Sequence, residues 1–245
     1  MSHGRFLTTH VGSLPRGEAL KTLMFAREDG AAIDEGALDA QIGEAVVDLV
    51  ARQVSAGLDI VNDGEQSKPS YATYIKDRLT GFGGESGSYV FQDLEAFPGA
   101  KLRMAADEGR KHRRAPACTG PVTVKDMSAA ARDAEGLKDA LAAHPGRQGF
   151  MSAASPGVTA LFFTNEHYAR DEDYLVALAD ALRHEYEAIA AAGLILQIDC
   201  PDLAMGRHTQ FRDLSLSQFR ERLMLNIEML NRATATIAPE RMRIH

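Results

Sequence analysis

The chain has only two cysteines among its 245 residues, Cys118 and Cys200, too few and too far apart for a disulfide framework. Its N-terminus lacks the basic-then-apolar pattern of a secretory signal, so the expected compartment is the reducing cytoplasm. No apolar run approaches the roughly 20 residues needed to span a bilayer, and no membrane partner is expected. Basic residues are not in excess either: 27 Lys and Arg against 34 Asp and Glu leave a net charge of -7. A scattered acidic balance offers no footprint for a phosphate backbone, which argues against a nucleic-acid partner. The one local exception, Arg110-Lys111-His112-Arg113-Arg114, reads as a solvated loop. Two motifs are missing as well. Without a glycine fingerprint after the first strand, a dinucleotide-binding doubly wound sheet is disfavoured. Without a Cys-x-x-Cys or His-x-Cys pair, no metal site follows from spacing, and both cysteines read as small buried hydrophobes.

What is present is a 45% hydrophobic chain, long enough for one large domain spanning residues 1–245. Apolar β-forming segments alternate with amphipathic helical ones, the pattern of a parallel α/β sheet. Strands are expected at residues 6–9, 59–62, 115–119, 149–153 and 194–198, with a sixth ending at His245. Leu38, Ile42, Val46, Val50 and Val54 mark one long helix, stopped by Gly57. A second opens at Asp171-Glu172-Asp173, carries Leu175, Leu178, Leu182 and Ile189 on one face, and ends at Gly193. Ser215 and Gln218 form a capping box for a third, with Leu216, Phe219, Leu223, Ile227 and Leu230 as its expected buried face. The glycine-rich stretch 66–114, including the alternating run Ser88-Tyr89-Val90-Phe91-Gln92, reads as an inserted hairpin or loop over the second βα connection. The fold class expected is α/β, a (β/α)8 TIM barrel with about six of its eight βα units present.

In such a barrel the active site lies at the C-terminal ends of the strands, which here carry Gly12-Ser13, Gly64-Glu65, Thr119-Gly120, Ser155-Pro156-Gly157, Asp199-Cys200 and His245. Asp199 ends an apolar strand, so its carboxylate either faces the barrel mouth or needs a partner. Glu65 follows a glycine in a tight turn. Two carboxylates across a pocket suit an ammonium group; the competing assignment has Asp63 and Glu65 capping a helix or pairing with Lys68. Ser13, with the backbone N–H groups of its turn, could hold a carboxylate, although Gly-Ser-x-Pro is ordinary loop chemistry. His10 reads as structural. His245, at a strand tip, is a candidate metal ligand by position.

Three segments, Thr8-Thr9-His10-Val11-Gly12-Ser13-Leu14-Pro15-Arg16, Gly57-Leu58-Asp59-Ile60-Val61-Asn62-Asp63-Gly64-Glu65 and Leu196-Gln197-Ile198-Asp199-Cys200-Pro201, resemble the catalytic barrel of the cobalamin-independent methionine synthase family, over about residues 5–245. The resemblance implies methyl transfer from 5-methyltetrahydrofolate, or a related donor, to the thiol of homocysteine. It implies that Ser13, Glu65 and Asp199 bind homocysteine, and that Phe162-Phe163 lies near the folate ring. It also implies a Zn2+ ion with His245 as first ligand and the remaining ligands beyond residue 245, the chain being C-terminally truncated. An alkyltransferase acting on another thiol such as coenzyme M, or an inactive fragment, are the alternatives.

Overall fold

A computed structural model describes residues 4–71, 73–86, 91–106 and 115–245. Its centre is a four-stranded, wholly parallel sheet. β1 (Ile60–Val61) pairs with β4 (Gln148–Ala154), β4 with β5 (Ile195–Asp199), and β5 with β6 (Met242–Ile244). A parallel bridge from Thr9 to Ile60 adds one more row beyond β1. β2 (Phe82–Gly83) and β3 (Ala117–Cys118) form a separate antiparallel pair. Among the described residues the parallel sheet does not close on itself.

The expected strand at 115–119 is therefore misplaced: it is β3, and β1 lies directly against β4. Its amides explain the difference. Cys118 N donates to Thr164 O at 2.8 Å and Thr119 N to Gly81 O at 2.8 Å, so loops take the donors a barrel neighbour would need. Pro116 and Pro121, on either side, have no N–H to offer. Among the described residues this sheet has five parallel rows with Thr9 counted, not six.

Five helices described here pack around the sheet or cap its loops. α1 (Glu18–Glu28) lies on α2 (Glu35–Ser55). α2 is opened by Asp34, whose side chain accepts from Ala37 N, and is stopped by Gly57 at φ 81. Leu38, Val46 and Val50 are buried along its inner stripe. The short α3 (Ile75–Arg78) follows β1, α4 (Pro98–Ala106) lies in the 66–114 stretch, and α5 (Ser128–Ala142) precedes β4. The alternating run expected in that stretch lies mostly outside the described residues, and Gln92–Leu94 is a 3-10 turn.

Three further helices follow β4 and β5. α6 (Pro156–Phe162) is capped by Ser155, whose side chain accepts from Val158 N. α7 (Asp171–Ala191) places three acidic residues at the positive end of its dipole and buries Leu175, Leu178, Leu182 and Ile189 as expected. α8 (Leu216–Ala233) has the full capping box. Its buried face differs from the expected one: Phe219 and Leu230 are inside, but Leu216 and Ile227 are exposed, and Asn226, Met229 and Ala233 take their place. Asn226 Nδ2 donates to Asp202 Oδ2 at 2.9 Å, and this buried polar anchor sets the rotation of the helix. No helix among the described residues is long and apolar enough to cross a membrane.

Candidate active site

Because every strand of the sheet runs the same way, the segments that leave their C-terminal ends gather on one rim. Thr9 leads to His10–Arg16, β1 to Asn62–Lys68, β5 ends on Asp199, and β6 leads to His245.

The turn after β1 is the most constrained part of that rim. Gly64 (φ 60) and Glu65 (φ 55) are consecutive left-handed residues. For glutamate this conformation costs on the order of 1 kcal/mol. Side chains from three segments hold it. Gln53 accepts from Asn62 N at 3.1 Å and donates to Asn62 O at 2.7 Å. Asn62 Oδ1 accepts from Gly64 N at 2.7 Å, and Asp63 Oδ1 from Glu65 N at 3.1 Å. Arg16 donates to the carbonyls of Glu65 and Lys68 at 2.5 and 2.6 Å, and Asn62 Nδ2 reaches His10 O at 2.8 Å. Glycine is favoured at 64, where φ is left-handed and a Cβ would lie 2.9 Å from Leu49 Cδ1 and 3.0 Å from Leu14 Cβ.

This strained turn drives the Glu65 carboxylate inward. Ser13 Oγ donates to Glu65 Oε2 at 2.5 Å, while Glu65 Oε1 is buried with no hydrogen-bond partner. Asp199 is only 6% exposed. Its Oδ1 accepts from Gln197 Nε2 at 3.0 Å and faces His245 Nδ1 at 3.2 Å, and among the described residues its Oδ2 has no hydrogen bond. Burial pushes the Asp199 carboxyl above its ordinary range and the Glu65 charge pushes it further, against the Gln197 and His245 contacts, which pull it down. His245 continues the ladder, donating N–H to Ile198 O at 3.0 Å and accepting from Cys200 N at 2.7 Å.

Two pairs therefore stand on this rim, Ser13 with Glu65 and Asp199 with His245. The other residues singled out from the sequence lie elsewhere or serve the frame. His10 Nε2 contacts Gly12 O at 3.1 Å. Cys118 and Cys200 are buried and unreactive, burial lifting the Cys200 thiol to about 12. Phe163 is fully buried against Phe82, whereas the half-buried Phe162 meets the Tyr71 ring edge-on at 5.7 Å.

Two residues of the site escaped the sequence reading. Gln197 was not singled out, although it is the one polar side chain in the segment 194–198. Lys68 was weighed as a partner for Asp63 or Glu65, yet among the described residues it makes no ion pair with either. It is buried, donates to Ser152 O, and lies 3.9 Å from Glu185 Oε1 and 4.5 Å above the Tyr74 ring. Behind the turn, a cavity of about 410 Å³ opens between α2 and α5, lined by Val46, Asp63, Arg78 and Asp133 among others. Neither Glu65 nor Asp199 lines it.

No family model matches the chain. A curated methionine synthase of Saccharolobus solfataricus is 25% identical over 210 residues, covering 85% of this chain and 55% of the relative. One from Saccharolobus islandicus is 24% identical over the same share of each. Among solved structures, a B12-independent methionine synthase from a Shewanella species, in complex with selenomethionine, superposes with a TM-score of 0.67 at 21% identity. That superposition covers 97% of this chain and 60% of the other. The chain is therefore homologous to methionine synthases and shares its fold with B12-independent ones, spanning little more than half of their length.

Proposed function

We propose that the rim binds the α-amino acid homocysteine and serves its S-methylation to methionine, with 5-methyltetrahydrofolate or a related N-methyl compound as donor. The observation that carries this reading is Glu65 Oε1, a buried carboxylate oxygen with no hydrogen-bond partner, on the same rim as Asp199. Leaving a charged buried acceptor unsatisfied costs at least about 1–3 kcal/mol. A substrate ammonium has three donors and a positive charge, and would supply what both carboxylates lack. The homology supports the acceptor, since the similar Shewanella protein was solved with an amino acid of this type. In the reaction the sulfur–methyl bond forms, the donor's carbon–nitrogen bond breaks, and the thiol proton ends on the donor nitrogen. Phe162, next to Tyr71, is the candidate to flank a donor ring. Architecturally, the same reading makes the five parallel rows consecutive staves of a (β/α)8 barrel.

The zinc ion implied by the resemblance is not fitted by these residues. Such a site needs about four donors, whereas no group of three His, Cys, Asp or Glu side chains among the described residues could hold a metal. His245 offers one donor, the ring Nε2, its Nδ1 being turned to Asp199. What the chain itself does is orient the amino acid by its amine.

Calorimetric titration tests this. Homocysteine is expected to bind, and Glu65→Gln and Asp199→Asn are each expected to weaken it tenfold or more, the loss of about one charge-assisted hydrogen bond. The anionic thiol coenzyme M, lacking an amine, should bind poorly beside two carboxylates. Equal affinity for both thiols would overturn the reading.

A further inference from the structure

β4, β5 and β6 are registered so that Ser152, Gln197 and Arg243 are neighbours across three strands. Side chains alternate along a strand, so this row shares a face with the next one toward the rim, which contains Asp199. Gln197 is 2% exposed and bridges the two rows. Its Nε2 donates to Ser152 Oγ and to Asp199 Oδ1, both at 3.0 Å, and its Oε1 accepts from Arg243 Nε at 2.9 Å. The Arg243 guanidinium is itself laid over the Phe150 ring at 3.8 Å.

The orientation of this amide is forced by its neighbours. A guanidinium can only donate and an ionised carboxylate can only accept. Turned over, Gln197 would set its NH2 against Arg243 and its oxygen against Asp199, losing two hydrogen bonds and creating two repulsions. Arg243 thus dictates which end of Gln197 faces the rim. On Asp199, both fixed neighbours, Gln197 and His245, meet Oδ1.

We propose that Gln197, oriented by Arg243, is a positioning residue for amino-acid recognition: it ties Asp199 down by Oδ1 so that Oδ2 is presented to the substrate ammonium. The inference rests on the amino-acid reading above and adds the device that selects for the amine. It makes the pair a determinant of specificity one layer below the residues that would touch substrate.

The test compares the whole chain with Gln197→Leu, Gln197→Glu, Arg243→Met and Arg243→Lys, titrating homocysteine and its amine-free analogue 4-mercaptobutanoate. Gln197→Leu should weaken homocysteine about tenfold and leave 4-mercaptobutanoate unchanged, a selectivity that a general loss of structure would not produce. Gln197→Glu is isosteric and keeps a partner for Arg243, but turns an acceptor toward Asp199, so it should lose at least as much affinity. Arg243→Met should lose part of it, and Arg243→Lys, which retains a donor, should recover most. Crystal structures of ligand-free wild type and Gln197→Leu give a readout independent of substrate: the Asp199 carboxylate should rotate in the variant. An unmoved Asp199, or equal losses for both thiols, would overturn the positioning role. Failure of wild type to bind homocysteine would instead overturn the function while leaving the crystallographic comparison decisive for Gln197.

Discussion

Asp63 and Glu65 are two residues apart, yet the left-handed turn between them gives them different environments. Glu65 faces Ser13 on the rim, and Asp63 lines the cavity between α2 and α5. Burial raises the Asp63 carboxyl to about 6 from an ordinary 3.8, the Lys68 charge only partly offsetting it. An acid whose folded pKa lies above its unfolded one binds more protons in the folded state, so it lowers stability as pH rises between the two values. Below about pH 4 the group is protonated in both states and costs nothing; above about pH 6 the whole penalty applies. Two units correspond to about 3 kcal/mol. Asp63→Asn keeps the oxygen that accepts from Glu65 N and removes the charge. Its stability relative to wild type should therefore grow by on the order of 2–3 kcal/mol from pH 4 to pH 7. Urea unfolding of both proteins across that range measures the difference, and a pH-independent offset would refute the assignment.

At the scale of elements, the helices were legible because their determinants are local. α2 and α7 end just before Gly57 and Gly193, α7 opens on three acidic residues, and α8 opens on its capping box. The Ser215 capping box is complete: Ser215 Oγ accepts from Gln218 N at 3.3 Å and Gln218 Oε1 accepts from Ser215 N at 2.9 Å. Ser215→Ala should cost about 1 kcal/mol, seen as a lower Tm in thermal unfolding, while Ser215→Asp should retain most of the stability. The long strands β4 and β5 were legible for the same reason, each being an apolar run bounded by turn residues. The strand character of β3 was legible too, but its pairing was not, because the Thr164 and Gly81 carbonyls that claim its amides are distant in sequence. The rotation of α8 depended on Asp202, which no helical period reveals. In the candidate site, Glu65 and Asp199 could be chosen from strand ends alone. The orientation of Gln197 and the burial of Lys68 depend on cross-strand neighbours, so they emerge only with register.

Across the whole molecule, one buried polar network joins the turn bearing Glu65 to the opposite helices. Arg78 donates to Glu185 Oε1 at 2.6 Å and to Asp133 Oδ2 at 2.5 Å, tying α3 to α7 and α5. Tyr74 Oη donates to Glu185 Oε1 at 2.8 Å, and Ala154 N at the end of β4 donates to that same hydroxyl at 3.3 Å. Lys68, three residues after Glu65, completes the group at 3.9 Å from Glu185. Two cations face two carboxylates, and Arg78 and Glu185 are almost wholly buried. A buried pair like this contributes little relative to an apolar replacement, but losing one member strands the others, at about 3–5 kcal/mol. Arg78→Met should therefore destabilise the fold by that amount, and Glu185→Gln by somewhat less, because Asp133 still balances part of the Arg78 charge. The double variant should be markedly less destabilised than the sum, since the second change removes the carboxylate that the first leaves unpaired. Denaturant unfolding of the four proteins gives the coupling energy. Strict additivity would mean that the network is held by packing alone, with its charges acting independently.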